Sequence, residues 1–368
     1  MKETLLQCRN IPNAGRRIIV DLKNKIVKLI EPAIPSGSEV KNNKPIIDIF
    51  RQYCDDVKSD KLGNVIGLKK GSKSSCKVML AAHMDEIGMM VKQIDDRGFV
   101  RFAFIGGVDY RILPAQEVII HGSKNIYGII GTKPPHIQNP EERRKAIKPE
   151  DMFIDTGLEA SEVKEHIRIG DFITFKRNPI GLGNNYFSSN ALDDRAGVAV
   201  VLYTLKELEK MKFDVDVYAV GTVQEEVGLR GAIVSSYGIN PDIGVAIDVC
   251  HGSMPEVAEH ETKKLGQGPV LSLGPNIHPK LFNRLKELCE EYKIPFQIDP
   301  EPASTGTDGW AMQITREGIP TAVVSIPLRY MHTTVETLCI DDIKMSGRLL
   351  ALFISSLSNE FVEELSCY

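Results

Sequence analysis

Little in this 368-residue sequence points out of the cell or towards a polyanion. Its seven cysteines, at 8, 54, 76, 250, 289, 339 and 367, are odd in number and include no C-x-x-C pair. That argues against a disulfide framework and against a thiolate zinc site, so they read as reduced thiols, most of them packing residues. No stretch is apolar for long enough to span a bilayer, and the opening MKETLLQCRNIPNAGRR lacks the apolar centre of a signal peptide. The net charge of -4 supplies no basic surface for nucleic acid. A soluble, cytoplasmic protein without a membrane or nucleic-acid partner is expected. There is no internal repeat and no low-complexity tract.

Apolar content of 42% and charged content of 26% are ordinary globular values, and the length fits one large α/β domain or two domains. RRIIVDLKNKIVKLIEPAIPSGSE carries apolar residues at helical spacing until Pro32 and Pro35 break it, and KPIIDIFRQYC reads as another helix. KVMLAA, a short apolar run between a polar loop and a polar motif, reads as a buried strand. From residue 91 to 181 the pattern changes to short β-like pieces: GFVRFAFIGG, QEVIIHG, IYGIIGT, MFIDTG and DFITFKR. The charge run QNPEERRKAIKPED within them reads as a solvated loop. Afterwards the helix DRAGVAVVLYTLKELEK alternates with buried strands VDVYAVGTV, IGVAID and TAVVSIP, which need helices on both faces. The predicted fold is α/β, a mixed sheet flanked by helices. It is built from residues 1–90 and 182–368, with an all-β domain inserted at 91–181.

Each buried strand runs out into acids or histidine rather than an ordinary turn. KVMLAA leads to His83, VGTV to QEEVG, GVAI to DVCHG and VVSIP to LRYMHTTVE, while the helix after Gly183 opens with NALDDR. Ligands of open α/β sheets bind outside the carboxyl ends of the strands, so these groups are expected to converge. His83, Asp193, Glu226, Asp248 and His332 make a set of two imidazoles and three carboxylates that suits zinc, cobalt or manganese. Five ligands are too many for one tetrahedral ion but serve two ions that share a bridging carboxylate, for which Asp193 is the candidate. Taken singly, Asp193 before a helix would rather be a cap, and the weight lies in the coincidence of five.

Asp85, one residue beyond His83, is expected to take the second ring N–H of that ligand, although an isolated His-x-Asp more often just begins a turn. Glu225 and Glu226 are neighbours, and neighbours in a strand point oppositely. Both serve one site only if the chain has left the strand there, a bend that Gly221 and Gly228 permit. Glu226 is then a ligand and Glu225 the general base. A glycosidase needs its two carboxylates roughly 5 to 9.5 Å apart across a bond, which immediate neighbours supply poorly. Arg195 reads as a structural partner of a carboxylate, and His251 as either a cleft or a surface residue. Thr307, Asp308 and Gly309 read equally as a substrate-facing helix start or a plain cap.

The motifs AAHMDEIGMMV, SSNALDDRAGVAVV, TVQEEVGLRGA, AIDVCHG and GIPTAVVSIPLRYMHTTVET resemble those of the dinuclear-metal aminopeptidases that assemble as tetrahedral dodecamers. This is the glutamyl and deblocking aminopeptidase group, some of whose members carry an endoglucanase label. RFAFIGG, GTKPPH and DMFIDTG of the insert are similar too. The resemblance implies His83, Asp193, Glu226, Asp248 and His332 as ligands of two metal ions, zinc with cobalt or manganese as alternatives, and Asp85 and Glu225 as catalytic carboxylates. It also implies a cis peptide between Asp193 and Asp194 and a PDZ-like insert that mediates dimer contacts within a dodecamer. DVCHGSMPE departs from the pattern at Cys250, which puts the local specificity pocket in question.

The expected activity is removal of N-terminal residues from short peptides. The rival readings are a dinuclear deacylase or carboxypeptidase on N-acyl amino acids, a non-catalytic assembly protein, and a glycosidase. An acidic side-chain preference would need a basic group in the pocket, and none can be placed.

Overall fold

A computed structural model describes residues 13–366 apart from 75 and 184. The described residues begin with the helix Asn13–Ile30, followed by the short helices Glu39–Asn42 and Lys44–Phe50. Three strands come next: β1 (Asp56–Ser59), β2 (Val65–Lys69) and β3 (Lys77–His83). The inserted segment supplies β4 (Gly88–Ile94), β5 (Val100–Ile105), β6 (Glu117–His121), β7 (Asn125–Gly131), β8 (Phe153–Asp155) and β9 (Phe172–Phe175). The remainder supplies β10 (Ile180–Leu182), β11 (Tyr186–Ser189), β12 (Asp216–Thr222), β13 (Ile243–His251), β14 (Val270–Leu273), β15 (Gln297–Pro300), β16 (Thr321–Arg329) and β17 (Glu336–Cys339).

Eleven of these strands form one mixed sheet in the order β1-β2-β12-β3-β13-β16-β17-β11-β10, with β14 and β15 attached beside β16. At its centre β12, β3, β13 and β16 run parallel, while the flanking pairs are antiparallel. The central strands are the apolar runs of the sequence because they are covered on both faces: β3, β13 and β16 are buried almost throughout. Each Val, Leu or Ile so buried contributes about 1.5 to 3 kcal/mol. The helix Leu192–Leu208 packs on β3 and β13 and against the helix Ile340–Ser355, while Asp308–Gln313 packs on β13 and β16 and against Arg230–Ile239. Strands from both parts of the chain thus share one sheet. The flanking strands β1, β2, β10, β11 and β17 were not anticipated, since none is a long apolar run.

β4 to β9 close into a six-stranded barrel, in the order β4-β5-β8-β7-β6-β9, around its own apolar core. Only four residues separate the end of β3 at His83 from the start of β4 at Gly88, so the barrel hangs directly from the strand that carries His83. The charged run at 138–151 is mostly exposed and forms two short 3-10 turns, the solvated loop expected of it.

Candidate active site

Parallel strands share a direction, so whatever follows their last residues emerges at one edge of the sheet. His83 is the last residue of β3 and lies in register with Thr222, the last residue of β12, after which come Glu225 and Glu226. Asp248 lies near the end of β13, and His332 follows β16. The structure brings all five sequence-predicted ligands together. The Nε2 of His83 is 3.0 Å from Oδ1 of Asp193, and the Nε2 of His332 is 3.3 Å from Oδ2 of the same carboxylate. Glu226 Oε1 lies 3.4 Å from His332 Nε2, and Glu225 Oε2 lies 3.9 Å from His83 Nε2. Two groups, His83 with Asp193 and Glu226 and His83 with Asp194 and Asp248, have ligand atoms within 4.8 Å of one another.

The local chain explains how each side chain arrives there. β12 ends at Thr222, so Glu225 and Glu226 stand outside the strand, as the sequence required. The bend is made by Gln224 and Gly228, both at positive φ; Gly221 remains a paired strand residue and is not the hinge. Asp193 and Asp194 are joined by a cis peptide and have non-helical dihedrals at the start of the helix Leu192–Leu208. The capping role falls to Asp194, whose Oδ1 accepts from the Gly197 N–H at 2.9 Å. Asp193 is thereby free to face the two histidines.

Asp85 behaves differently from its expected role. The ring Nδ1 of His83 donates to the main-chain carbonyl of Asp85 at 3.1 Å, while the nearest oxygen of the carboxylate is 3.7 Å from that nitrogen. The carboxylate instead accepts from Ser36 Oγ at 2.6 Å and from the N–H groups of Glu225 and Glu226 at 3.1 and 3.4 Å. It holds the Glu225–Glu226 turn, while its backbone orients the histidine. Asp85→Asn is expected to lower kcat/KM about 10- to 100-fold, because an amide nitrogen cannot accept from those donors. Steady-state kinetics beside metal analysis checks this, with metal content falling less than in a His83→Ala variant.

Several residues that position the site were not read from the sequence. Buried Glu336 accepts from the N–H groups of Leu192 at 2.7 Å, Asp193 at 3.2 Å and His332 at 3.0 Å, so it fixes two proposed ligands at once. Gly107, in the loop after β5, accepts from His332 Nδ1 through its carbonyl at 3.0 Å. A Cβ on Gly107 would fall 2.7 Å from that nitrogen, and one on Gly106 3.2 Å from Glu226 Oε2. The RFAFIGG motif thus ends in a backbone flat enough to lie against both side chains. Gly107→Ala is expected to displace His332 and cut metal affinity about 10- to 100-fold, read by titrating metal into the chelated protein.

The electrostatics show what these residues want. Asp85, Asp193, Asp194 and Asp248 are all buried, the side chains of Glu225 and Glu226 nearly so, and two imidazoles face them. An uncompensated buried carboxylate costs several kcal/mol, so the cluster keeps protons instead. Burial pushes Glu225 up to about 9 and Asp248 up to about 8, in each case against the pull of His83, and pushes Asp194 well above the carboxylate range. Hydrogen bonds to Asp193 and Glu226 raise His332 to about 11. Burial would lower His83, but Asp193, Glu225 and Asp85 together hold it well above its ordinary value. Burial likewise works against an ionised Asp193, yet bonds from His332 and His83 keep it well below. The Oδ2 of Asp194 is buried without a partner. A carboxylate-rich donor set with two imidazoles and an orphaned buried oxygen fits divalent cations, whose binding displaces such protons.

A cavity of about 590 Å³ opens over the cluster. His83, Asp193, Glu225, Glu226, Asp248 and His332 line one part of it, and Cys250, His251, Glu261, Asp299, Glu301, Thr307 and Trp310 line the rest. His251 is thus a cleft residue. Burial holds the Cys250 thiol well above its usual value. Thr307 caps the helix Asp308–Gln313 by accepting from the Gly309 N–H, which is the plain capping role. Asp308 is turned to Thr222 Oγ1. Arg195 is fully buried, donating to the Leu29 carbonyl at 2.7 Å with Glu86 at 3.9 Å, a structural position away from the cavity.

Residues 63–349 match the family model described as M42 glutamyl aminopeptidase. The chain is similar to the lysyl aminopeptidase of Pyrococcus furiosus, with 39% identity over 343 residues, 92% of this chain and 97% of the relative. Among solved structures it is similar to an aminopeptidase from the archaeon Desulfurococcus kamchatkensis, with a TM-score of 0.89 and 39% identity over 95% of this chain and 99% of the other. It is also similar to the Pyrococcus horikoshii TET1 peptidase, which can assemble into a tetrahedron or a large octahedral shell. That match has a TM-score of 0.80 and 30% identity over 92% of this chain and 100% of the other.

Proposed function

Because the chain belongs to the M42 glutamyl aminopeptidase family and is a peptidase, we propose that it removes residues from the free N-terminus of short peptides, using two divalent cations per subunit. His83, Asp193, Glu226, Asp248 and His332 would hold these ions, His83 and Asp248 on one side of Asp193 and His332 and Glu226 on the other. The observation that carries this reading is the Asp193 carboxylate, whose two oxygens face two different imidazoles at 3.0 and 3.3 Å. Cations there supply Lewis-acid polarisation of the scissile carbonyl and make a nearby water more acidic. Glu225 takes the proton of the attacking water and passes it to the leaving amine. Asp85 keeps Glu225 in place through the backbone, which makes it a positioning residue. Zinc suits the mixed imidazole and carboxylate set, as do cobalt and manganese.

The unit formed by residues 91–181 acts in assembly and substrate access, and those at 1–90 and 182–368 carry the chemistry. The barrel's outer face exposes Tyr127 and Ile129, which supports a PDZ-like contact module of a homo-oligomer. A dodecamer built from dimers is in keeping with the shells formed by the P. horikoshii relative. The described cysteines are all free thiols, which fits a reducing, cytoplasmic setting, and no helix among the described residues is long and apolar enough to cross a membrane.

A deacylase built on the same donor set would accept blocked substrates, whereas an aminopeptidase needs the free amine. Metal analysis of the purified protein is expected to find two divalent ions per subunit. Chelation should abolish hydrolysis of an aminoacyl p-nitroanilide, and added metal should restore it. Full activity in the chelated protein would refute the reading.

A further inference from the structure

The turn that presents Glu225 lies beyond the sheet and takes its support from side chains. Strand pairing of β12 ends at Thr222, and Gln224 sits at a φ of 54°, a left-handed conformation that an L side chain seldom adopts. Four successive N–H groups, those of Val223, Gln224, Glu225 and Glu226, are each taken by a buried side chain from much earlier in the sequence. Asn64 accepts the first at 3.0 Å, Glu39 the second at 3.0 Å, and Asp85 the last two at 3.1 and 3.4 Å. Asn64 also bonds Asp60 and the Gly231 carbonyl, so it braces a wider region. Glu39, the first residue of the helix Glu39–Asn42, divides its carboxylate between two backbone groups: Oε1 accepts from Gln224 and Oε2 from Gly37 at 2.7 Å. Burial, and then the nearby Asp85, raises this carboxyl to about 7. An acid kept there against both forces gains the fold little stability, yet it holds the left-handed residue directly before Glu225.

We propose that Glu39 is a positioning residue for the general base, its carboxylate fixing the bend at Gln224 and so aiming the Glu225 side chain. This deepens the aminopeptidase reading and rests on it for the role of Glu225. Peptide units are planar, so a residue's φ and ψ are set once the planes before and after it are fixed. Glu39 fixes the plane before Gln224 through that residue's N–H, and Asp85 fixes the plane after it through the N–H of Glu225. Release of the Glu39 bond lets Gln224 relax to negative φ, which redirects the chain that carries Glu225. A displacement of about 1 Å in a reacting group costs about 10²-fold in rate. His83, Asp193, Asp248 and His332 lie on other segments, so metal binding should change far less than turnover.

The test compares Glu39→Ala and Glu39→Gln with the wild type in kcat and KM on an aminoacyl p-nitroanilide, metal affinity, unfolding temperature, and backbone hydrogen exchange over residues 222–228. Alanine accepts from neither N–H, whereas the glutamine amide oxygen can still accept from one of them. kcat is expected to fall about 100-fold in Glu39→Ala and about ten-fold in Glu39→Gln, with KM and metal affinity within about three-fold of the wild type. Exchange over 222–228 should quicken about ten-fold or more in Glu39→Ala and stay unchanged in β13. The unfolding temperature of Glu39→Gln should hold or rise, because a neutral amide replaces a buried acid beside Asp85. Should Glu39→Ala fail to fold, lower kcat in Glu39→Gln at an undiminished unfolding temperature decides the matter. Wild-type kcat in both variants overturns the proposal. So does metal affinity that falls in step with kcat, or a kcat loss that follows the unfolding temperature while exchange at the turn stays as in the wild type. Exchange is read without substrate: a wild type that hydrolyses no peptide would refute the aminopeptidase reading, and unchanged exchange over 222–228 would still refute this one.

Discussion

Replacing Glu225 with glutamine is expected to lower kcat by about 10²- to 10⁴-fold while metal content stays at its wild-type level. The substitution keeps size and shape but removes the capacity to take a proton. The turn that presents the residue should survive, since the Glu225 N–H is held by the Asp85 carboxylate at 3.1 Å and not by its own side chain. Glu226 supplies the contrast. Its carboxylate lies 3.4 Å from His332 Nε2 and groups with Asp193 and His83, so Glu226→Ala should lose metal along with activity. Metal analysis and kinetics on both variants separate base from ligand. Wild-type turnover by Glu225→Gln would remove the general-base role, and metal loss in both would erase the distinction between the neighbours.

Glu336→Ala is expected to damage the site as severely, though Glu336 touches none of the proposed ions. Its carboxylate accepts three N–H groups, those of Leu192, Asp193 and His332, and is itself buried. Truncation leaves those donors unpaired at a cost of about 1 to 3 kcal/mol each. Because two of them belong to Asp193 and His332, the loss should appear as a fall in metal affinity of about 10- to 100-fold together with a lower unfolding temperature. Metal titration and thermal unfolding check this. Unchanged metal affinity at reduced stability would make Glu336 a structural residue only.

Both effects illustrate which parts of the site can be read from a linear chain. The central strands were legible because β3, β13 and β16 are covered on both faces and read as unbroken apolar runs. Their polar outflows were legible for the same reason, since an acid or imidazole directly after such a run has one edge of the sheet to occupy. Contacts made to backbone atoms were not. His83 finds the carbonyl of Asp85 rather than its carboxylate, and His332 finds the carbonyl of Gly107, 225 positions away. A carbonyl has no side-chain identity, so neither pairing leaves a trace in residue type. Glu336 escaped because its partners are N–H groups up to 144 positions upstream. Gly221 was a misattribution: a glycine inside a paired strand beside Met84 does not turn the chain, and Gly228 with Gln224 does.

The most direct test of the account is mass spectrometry of a peptide mixture, free and N-acetylated, incubated with metal-loaded enzyme and with a chelated control. Stepwise loss of N-terminal residues from the free peptides alone, absent after chelation, is the predicted result. Equal processing of the acetylated peptides, or trimming that persists in the chelated control, would contradict it.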